Sequence, residues 1–226
     1  MRKLGILVVA LLAVTAWIAP GQAVVIELRE YKVNVDGAVS DPGATVSFDP
    51  VSGLGTLALS VSGAGAHFVG LFVDHDIDAD INTFFNEKGV ATGSAPAGLS
   101  WEIDEPGWAF GNIYINFAAS SGIGGSKLEN NIFGGVSDTI DDVAMALGWN
   151  FLLAAGETAT ITFKLGTTVP GGSFNLEQVD PDSAASLYFA TGLDIRGGGI
   201  PGVPEPATLL LLGSGLAGLG LLRKRG

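Results

Sequence analysis

The chain has 226 residues, with 23 Asp and Glu against 11 Lys and Arg and no cysteine. Between residues 24 and 203 the imbalance sharpens to 22 acidic against 6 basic residues, a surface that argues against nucleic acid or anionic lipid as a partner. Without cysteine the chain has no disulfides or thiol nucleophile, and this stretch must rely on a core that its 180 residues are enough to build.

The first predicted element is a secretory signal peptide over residues 1–23. Met1-Arg2-Lys3 is its basic start and residues 4–18 its apolar stretch, while Gly21 and Ala23 are the small residues that place cleavage after Ala23. From there the pattern is β. Residues 24–35 are β-branched and partly alternating, predicting a long first strand, and Asp36-Gly37 and Asp41-Pro42-Gly43 are turn signals. Residues 45–48 and 56–62 predict further strands, the second with Leu57, Leu59 and Val61 on one face. Residues 67–73 form an apolar run, with His67 packed or hydrogen-bonded beside it.

That run leads into Asp74-His75-Asp76-Ile77-Asp78-Ala79-Asp80. Four carboxylates at alternate positions share one face of an extended chain and repel one another without a cation. Counted from Asp76, the residues Asp76, Asp78 and Asp80, with Glu87 at position 12, have the acidic spacing of a calcium loop, although Ile81 stands where its tight turn needs glycine. Two readings stay open. One is a divergent calcium site; the other is a solvated acidic loop in which Asp80 caps a short helix over residues 82–88.

The next chemistry-bearing stretch is Trp101-Glu102-Ile103-Asp104-Glu105-Pro106-Gly107. It resembles the Glu-apolar-Asp-apolar-Glu strand of a laminarinase-like glycoside hydrolase family, which implies a nucleophile and an acid/base on a β-sandwich. Pro106 occupies the third acidic position, so the acid/base is missing. The expectation is therefore that Glu102 and Asp104 are surface carboxylates while Trp101 and Ile103 pack inward. Trp108 and Tyr114 are candidates for stacking on a sugar ring. The chain has no G-x-S-x-G elbow, and its two histidines supply no evident zinc triad. No catalytic residue is assigned.

Residues 112–117 predict a strand with Ile113, Ile115 and Phe117 aligned, and glycines at 122–125 and 134–135 bracket a loop region. Residues 143–153 set Val143, Met145, Leu147, Trp149, Phe151 and Leu153 on one face. Residues 154–157 turn the chain, and 158–165 answer with Ala159, Ile161, Phe163 and Leu165. This pair predicts a hairpin. Residues 173–178 and 187–195 complete nine or ten strands without a long amphipathic helix. The fold class is all-β, an antiparallel β-sandwich of jelly-roll or Ig-like kind over residues 24–196. A glycine-rich spacer, residues 197–202, follows.

The chain ends in three zones. Val203-Pro204-Glu205-Pro206 is held extended by its prolines, residues 207–222 are apolar and uncharged, and Arg223, Lys224 and Arg225 form a basic end. As a helix the apolar run spans roughly 24 Å, close to a hydrocarbon core when the basic side chains snorkel. The basic end stays cytoplasmic and Glu205 lies across the membrane. Gly213-Ser214-Gly215-Leu216-Ala217-Gly218 fits a dinucleotide fingerprint, but too few residues follow it for a βαβ unit. Small residues there instead allow close helix packing.

Pro204, Glu205 and Pro206, the glycine-interrupted apolar helix and the Arg-rich end resemble, in that order, the PEP-CTERM sorting signal of Gram-negative bacteria. The resemblance implies recognition by an exosortase, a membrane cysteine peptidase that cleaves near the motif. Residues 74–77, 82–87, 101–107, 145–151 and 187–196 also resemble segments of PEP-CTERM exported proteins, which implies no activity. The expectation is thus an exported, non-enzymatic protein of the cell surface or exopolysaccharide matrix, membrane-held by its C-terminal helix before processing. The competing expectation is a calcium- or glycan-binding module of the envelope, with a glycoside hydrolase third. No cofactor is expected beyond calcium.

Overall fold

A computed structural model describes residues 24–41, 47–79, 83–107, 110–133 and 141–198. The signal peptide, Asp80, Trp108, most of the spacer, the sorting motif and the basic end lie outside the described residues, as does the apolar run of residues 207–222. Among the described residues no helix is long and apolar enough to cross a membrane.

Alternation of apolar and polar side chains decides most of the elements. In chain order these are β1 (Ile26–Val35), β2 (Ala38–Ser40), β3 (Gly55–Ser62), β4 (Gly65–Ile77), β5 (Lys88–Gly93), β6 (Leu99–Asp104), α1 (Ile113–Ala119), β7 (Asn131–Ile132), β8 (Ala144–Leu153), β9 (Glu157–Gly166), β10 (Phe174–Asp180) and β11 (Ala185–Gly197). The protein is all-β, as expected. A six-stranded sheet runs β2-β1-β4-β8-β6-β7 and a five-stranded sheet runs β3-β9-β11-β10-β5. Every pairing is antiparallel except that of β6 with β7. The two sheets share one apolar layer, to which Leu71 and Leu147 contribute from one side and Ile161, Phe163 and Phe189 from the other.

The expected hairpin of residues 143–153 with 158–165 does not form. β8 pairs with β4 and β6, whereas β9 pairs with β3 and β11, so the turn at Ala155-Gly156 carries the chain from one sheet to the other. The faces are as predicted: Met145, Leu147, Ala159, Ile161 and Phe163 are all buried. Alternation fixes which face turns inward, but it is blind to which strand lies alongside.

The strand expected over residues 112–117 is instead the helix α1. Ile113 and Phe117, four apart, are buried, while Ile115 between them is 64% exposed. This is the stripe of a helix and not the alternation of a strand. The helix expected over 82–88 is also absent among the described residues. Phe84 and Phe85 sit in an exposed turn, and Lys88 already belongs to β5.

Helix α1 covers the outer face of the six-stranded sheet and builds a second apolar layer from Phe72, Ile113, Phe117, Leu128, Ala144 and Ala146. That is why β4 is buried from Phe68 to Ile77 on both faces. Phe68 lies over two glycines that face each other across β4 and β8, Gly70 and Gly148. A Cβ at Gly148 would fall 2.5 Å from the Phe68 ring. Gly148→Ala is therefore expected to destabilise by about 1–3 kcal/mol through overpacking, read as a lower midpoint in urea unfolding.

Candidate functional site

The register of the six-stranded sheet draws acidic side chains into a row on its outer face. Glu30 of β1 stands opposite Asp74 of β4, Asp74 opposite Ala144 of β8, and Ala144 opposite Asp104 of β6. One pleat further along are Asp76 and, just before β8, Asp142. Oxygens of Asp74, Asp76 and Asp142 lie within 4.8 Å of one another. Asp74 and Asp76 are each 5% exposed, and Asp142 is half-buried. Asp74 Oδ1 and Asp142 Oδ1 find no hydrogen-bond donor among the described residues.

A bulge in β1 between Leu28 and Glu30 turns Arg29 toward this cluster. Its Nε donates to Asp76 Oδ2 and its Nη1 pairs with Glu27 at 3.2 Å. Lys32 is engaged with Glu30 at 3.3 Å and Asp41 at 2.6 Å. Burial, and then repulsion from Asp142, Asp76 and Glu30, push the Asp74 carboxyl up to about 8, with Arg29 opposing. Burial likewise lifts Asp142 to about 7, with Asp76 as the foremost repelling charge. Two lone carboxylates this close to a third resist ionising together unless a cation joins them.

Of the residues expected to form a calcium loop, Asp76 lies in this cluster and Asp80 lies outside the described residues. Asp78 takes a positive φ of 58° and its Oδ1 accepts the Val25 N–H at 2.7 Å. Glu87 turns the other way, into the core. Its Oε1 accepts the Ile77 N–H at 2.8 Å and its Oε2 accepts from Gln178 Nε2 at 2.5 Å. Burial raises its carboxyl to about 9. The neighbouring His75 is fully buried, which pushes its imidazole down to about 3.

Glu102 and Asp104, expected at the surface, are buried at 0% and 3% exposure. They serve as pins for α1. Asp104 Oδ2 accepts the Asn112 N–H at 2.7 Å at the start of the helix, and Glu102 accepts from Asn116 Nδ2 at 3.0 Å in its middle. Glu102 also accepts the Glu129 N–H at 3.0 Å. At the other end the buried Asn34 donates to the carbonyls of Phe117, which also accepts the Ser120 N–H, and of Ser120, the residue after the helix, at 2.7 and 2.9 Å. Burial lifts Glu102 to about 7, against the pull of its donors. Neither carboxylate faces an open groove. Tyr114 packs edge-on against Phe72 at 5.5 Å, a core contact. His67 is held as expected, with Nδ1 2.8 Å from Asp36 and Nε2 2.9 Å from the Gly63 carbonyl.

Sequence reasoning missed Asp142 and Asn34, since only the pairing of β4 with β8 brings Asp142 to Asp74 and Asp76, and only the seating of α1 on the sheet shows what Asn34 meets. The signal available for Asp142 was the Asp141-Asp142 pair ahead of a strongly alternating strand.

Residues 202–225 match the family model of the PEP-CTERM protein-sorting motif, so the chain carries the sorting signal of an exosortase substrate. No curated protein and no solved structure matches the chain.

Proposed function

We infer, from a chain that ends in a PEP-CTERM sorting motif, that its mature domain is delivered by an exosortase to the cell surface or exopolysaccharide matrix and acts there without catalysis. The observation that carries this is the motif at residues 202–225, with Pro204, Glu205 and Pro206 at its start. Two features support a non-catalytic domain. The carboxylates that resemble a glycosidase pair, Glu102 and Asp104, are committed to α1 through Asn116 and the Asn112 N–H. Both are closed off from solvent, where a substrate would have to reach them.

The test is intact mass and location in the native host, comparing wild type with Glu205→Ala. Wild type is expected to have lost its apolar tail and left the inner membrane, whereas Glu205→Ala keeps residues 207–226 and stays membrane-bound. Identical mass and location for the two proteins would overturn recognition of that carboxylate. The cluster of Asp74, Asp76 and Asp142 favours a second reading, an ion-binding module of the envelope.

A further inference from the structure

We propose that Asp74, Asp76 and Asp142 together bind one calcium ion on the outer face of the six-stranded sheet, where β1, β4 and the lead into β8 meet. This deepens the ion-binding reading and assigns it to a set of ligands that shares only Asp76 with the loop spacing of the sequence.

The first ground is distance. Oxygens bound to one calcium at about 2.3–2.6 Å can lie no more than about 5 Å apart, and one oxygen from each of the three carboxylates meets that limit within 4.8 Å. The second is an unmet demand. Asp74 is 95% buried, and its Oδ1 has no donor among the described residues. A buried carboxylate oxygen left so costs folding free energy, and a cation in the cluster supplies the missing partner. Asp142 Oδ1 repeats the pattern from a different segment of chain.

The third ground is charge. Three carboxylates meet one guanidinium, that of Arg29, which is shared between Asp76 and Glu27, so at least two negative charges remain in the cluster, and that remainder suits a divalent ion. The fourth is donor type. The donors are all carboxylate oxygens: the chain has no cysteine, the Met145 thioether packs in the core between the sheets, and His75 faces the opposite side of β4, in the core. Such a set favours hard cations over zinc or copper. Magnesium holds its water and demands a near-ideal octahedron, whereas calcium accepts the irregular geometry that three strand-fixed carboxylates offer. A shallow depression lined by Arg29, Glu30, Lys32, Asp41 and Asp74 gives the ion a way in.

The experiment is calorimetry and thermal unfolding of the full-length protein in detergent, first stripped with EDTA. It is then titrated with CaCl2, with MgCl2, and with KCl at matched ionic strength, to about 10 mM divalent ion, ten times the weakest dissociation constant of extracellular calcium modules. CaCl2 is expected to raise Tm by about 3–6 °C at tenfold the dissociation constant, with MgCl2 weaker and KCl without effect. Asp142→Asn, at a half-buried position, and Asp74→Asn should each weaken calcium binding at least tenfold. Asp194→Asn, on an exposed carboxylate of the other sheet, should bind like wild type. No heat or Tm shift with calcium, an equal shift with KCl, or wild-type binding by Asp142→Asn would overturn the proposal. The titration uses protein with its tail intact, so its failure leaves exosortase delivery standing, and failed processing leaves the calcium site standing.

Discussion

Phe163→Ala is expected to lower the free energy of unfolding by about 3–5 kcal/mol, and Tm by roughly 6–20 °C for a domain of this size. Phe163 is fully buried on β9, the second strand of the five-stranded sheet. Its register partners are Leu57 of β3 and Thr191 of β11, and its ring centroid lies 6.1 Å from that of Phe189. The side chain thus fills the layer where the two sheets meet, and strands paired on both sides cannot collapse into the void that alanine leaves. Urea unfolding checks the number. Leu152→Ala serves as the contrast, because Leu152 on β8 is 74% exposed and its loss should change stability by no more than about 0.5 kcal/mol. A Phe163→Ala cost as small as that of Leu152→Ala would mean that β9 does not face the shared layer.

That layer was legible in the sequence because strand period alone decides it. Leu57, Leu147, Ile161 and Phe163 all turn inward where alternation puts them. Partnership was not legible. Strands β8 and β9 follow one another through a tight turn and look like a hairpin, yet the turn crosses between sheets, and nothing local distinguishes the two outcomes. Residues 113–117 satisfied both periods at their ends, and only the exposure of Ile115 separates helix from strand. The helix then changed the meaning of its neighbours. A two-sheet reading leaves Glu102 and Asp104 on a wet outer face, whereas α1 roofs that face and turns them into buried acceptors. The alternation of Asp74 with Asp76 did foretell a shared face, but their third partner, Asp142, lies 66 positions beyond Asp76 and arrives only through register. The sorting motif was fully legible, since it is a linear string whose order of residues needs no fold to be read.

Glu87 sets the second large effect, a stability that falls as pH rises through the neutral range. Its carboxyl is fully buried, and burial holds it near 9 against an ordinary 4.5, with the Asp76 and Asp142 charges adding and the Ile77 N–H and Gln178 opposing. The folded protein therefore keeps a proton that the unfolded chain has given up. Stability from such a group is complete below about pH 4.5 and is lost as pH climbs toward 9. Glu102, raised to about 7, acts in the same sense over a narrower window. His75, lowered to about 3, acts in the opposite sense below its ordinary 6.5, because there the unfolded chain takes up a proton that the buried ring refuses. These terms offset one another in mild acid, which leaves pH 6.5 to 9 as the window where Glu87 is exposed to measurement. One pH unit of an extra bound proton is worth about 1.4 kcal/mol, so wild type should lose about 3 kcal/mol relative to Glu87→Gln across that window. Glutamine keeps the shape and the acceptor for the Ile77 N–H but cannot ionise, so the difference isolates this one group from every other that titrates. Urea unfolding in EDTA at pH 6.5, 7.5 and 9 reads it, and parallel pH profiles for the two proteins would show that Glu87 ionises in the folded core without penalty.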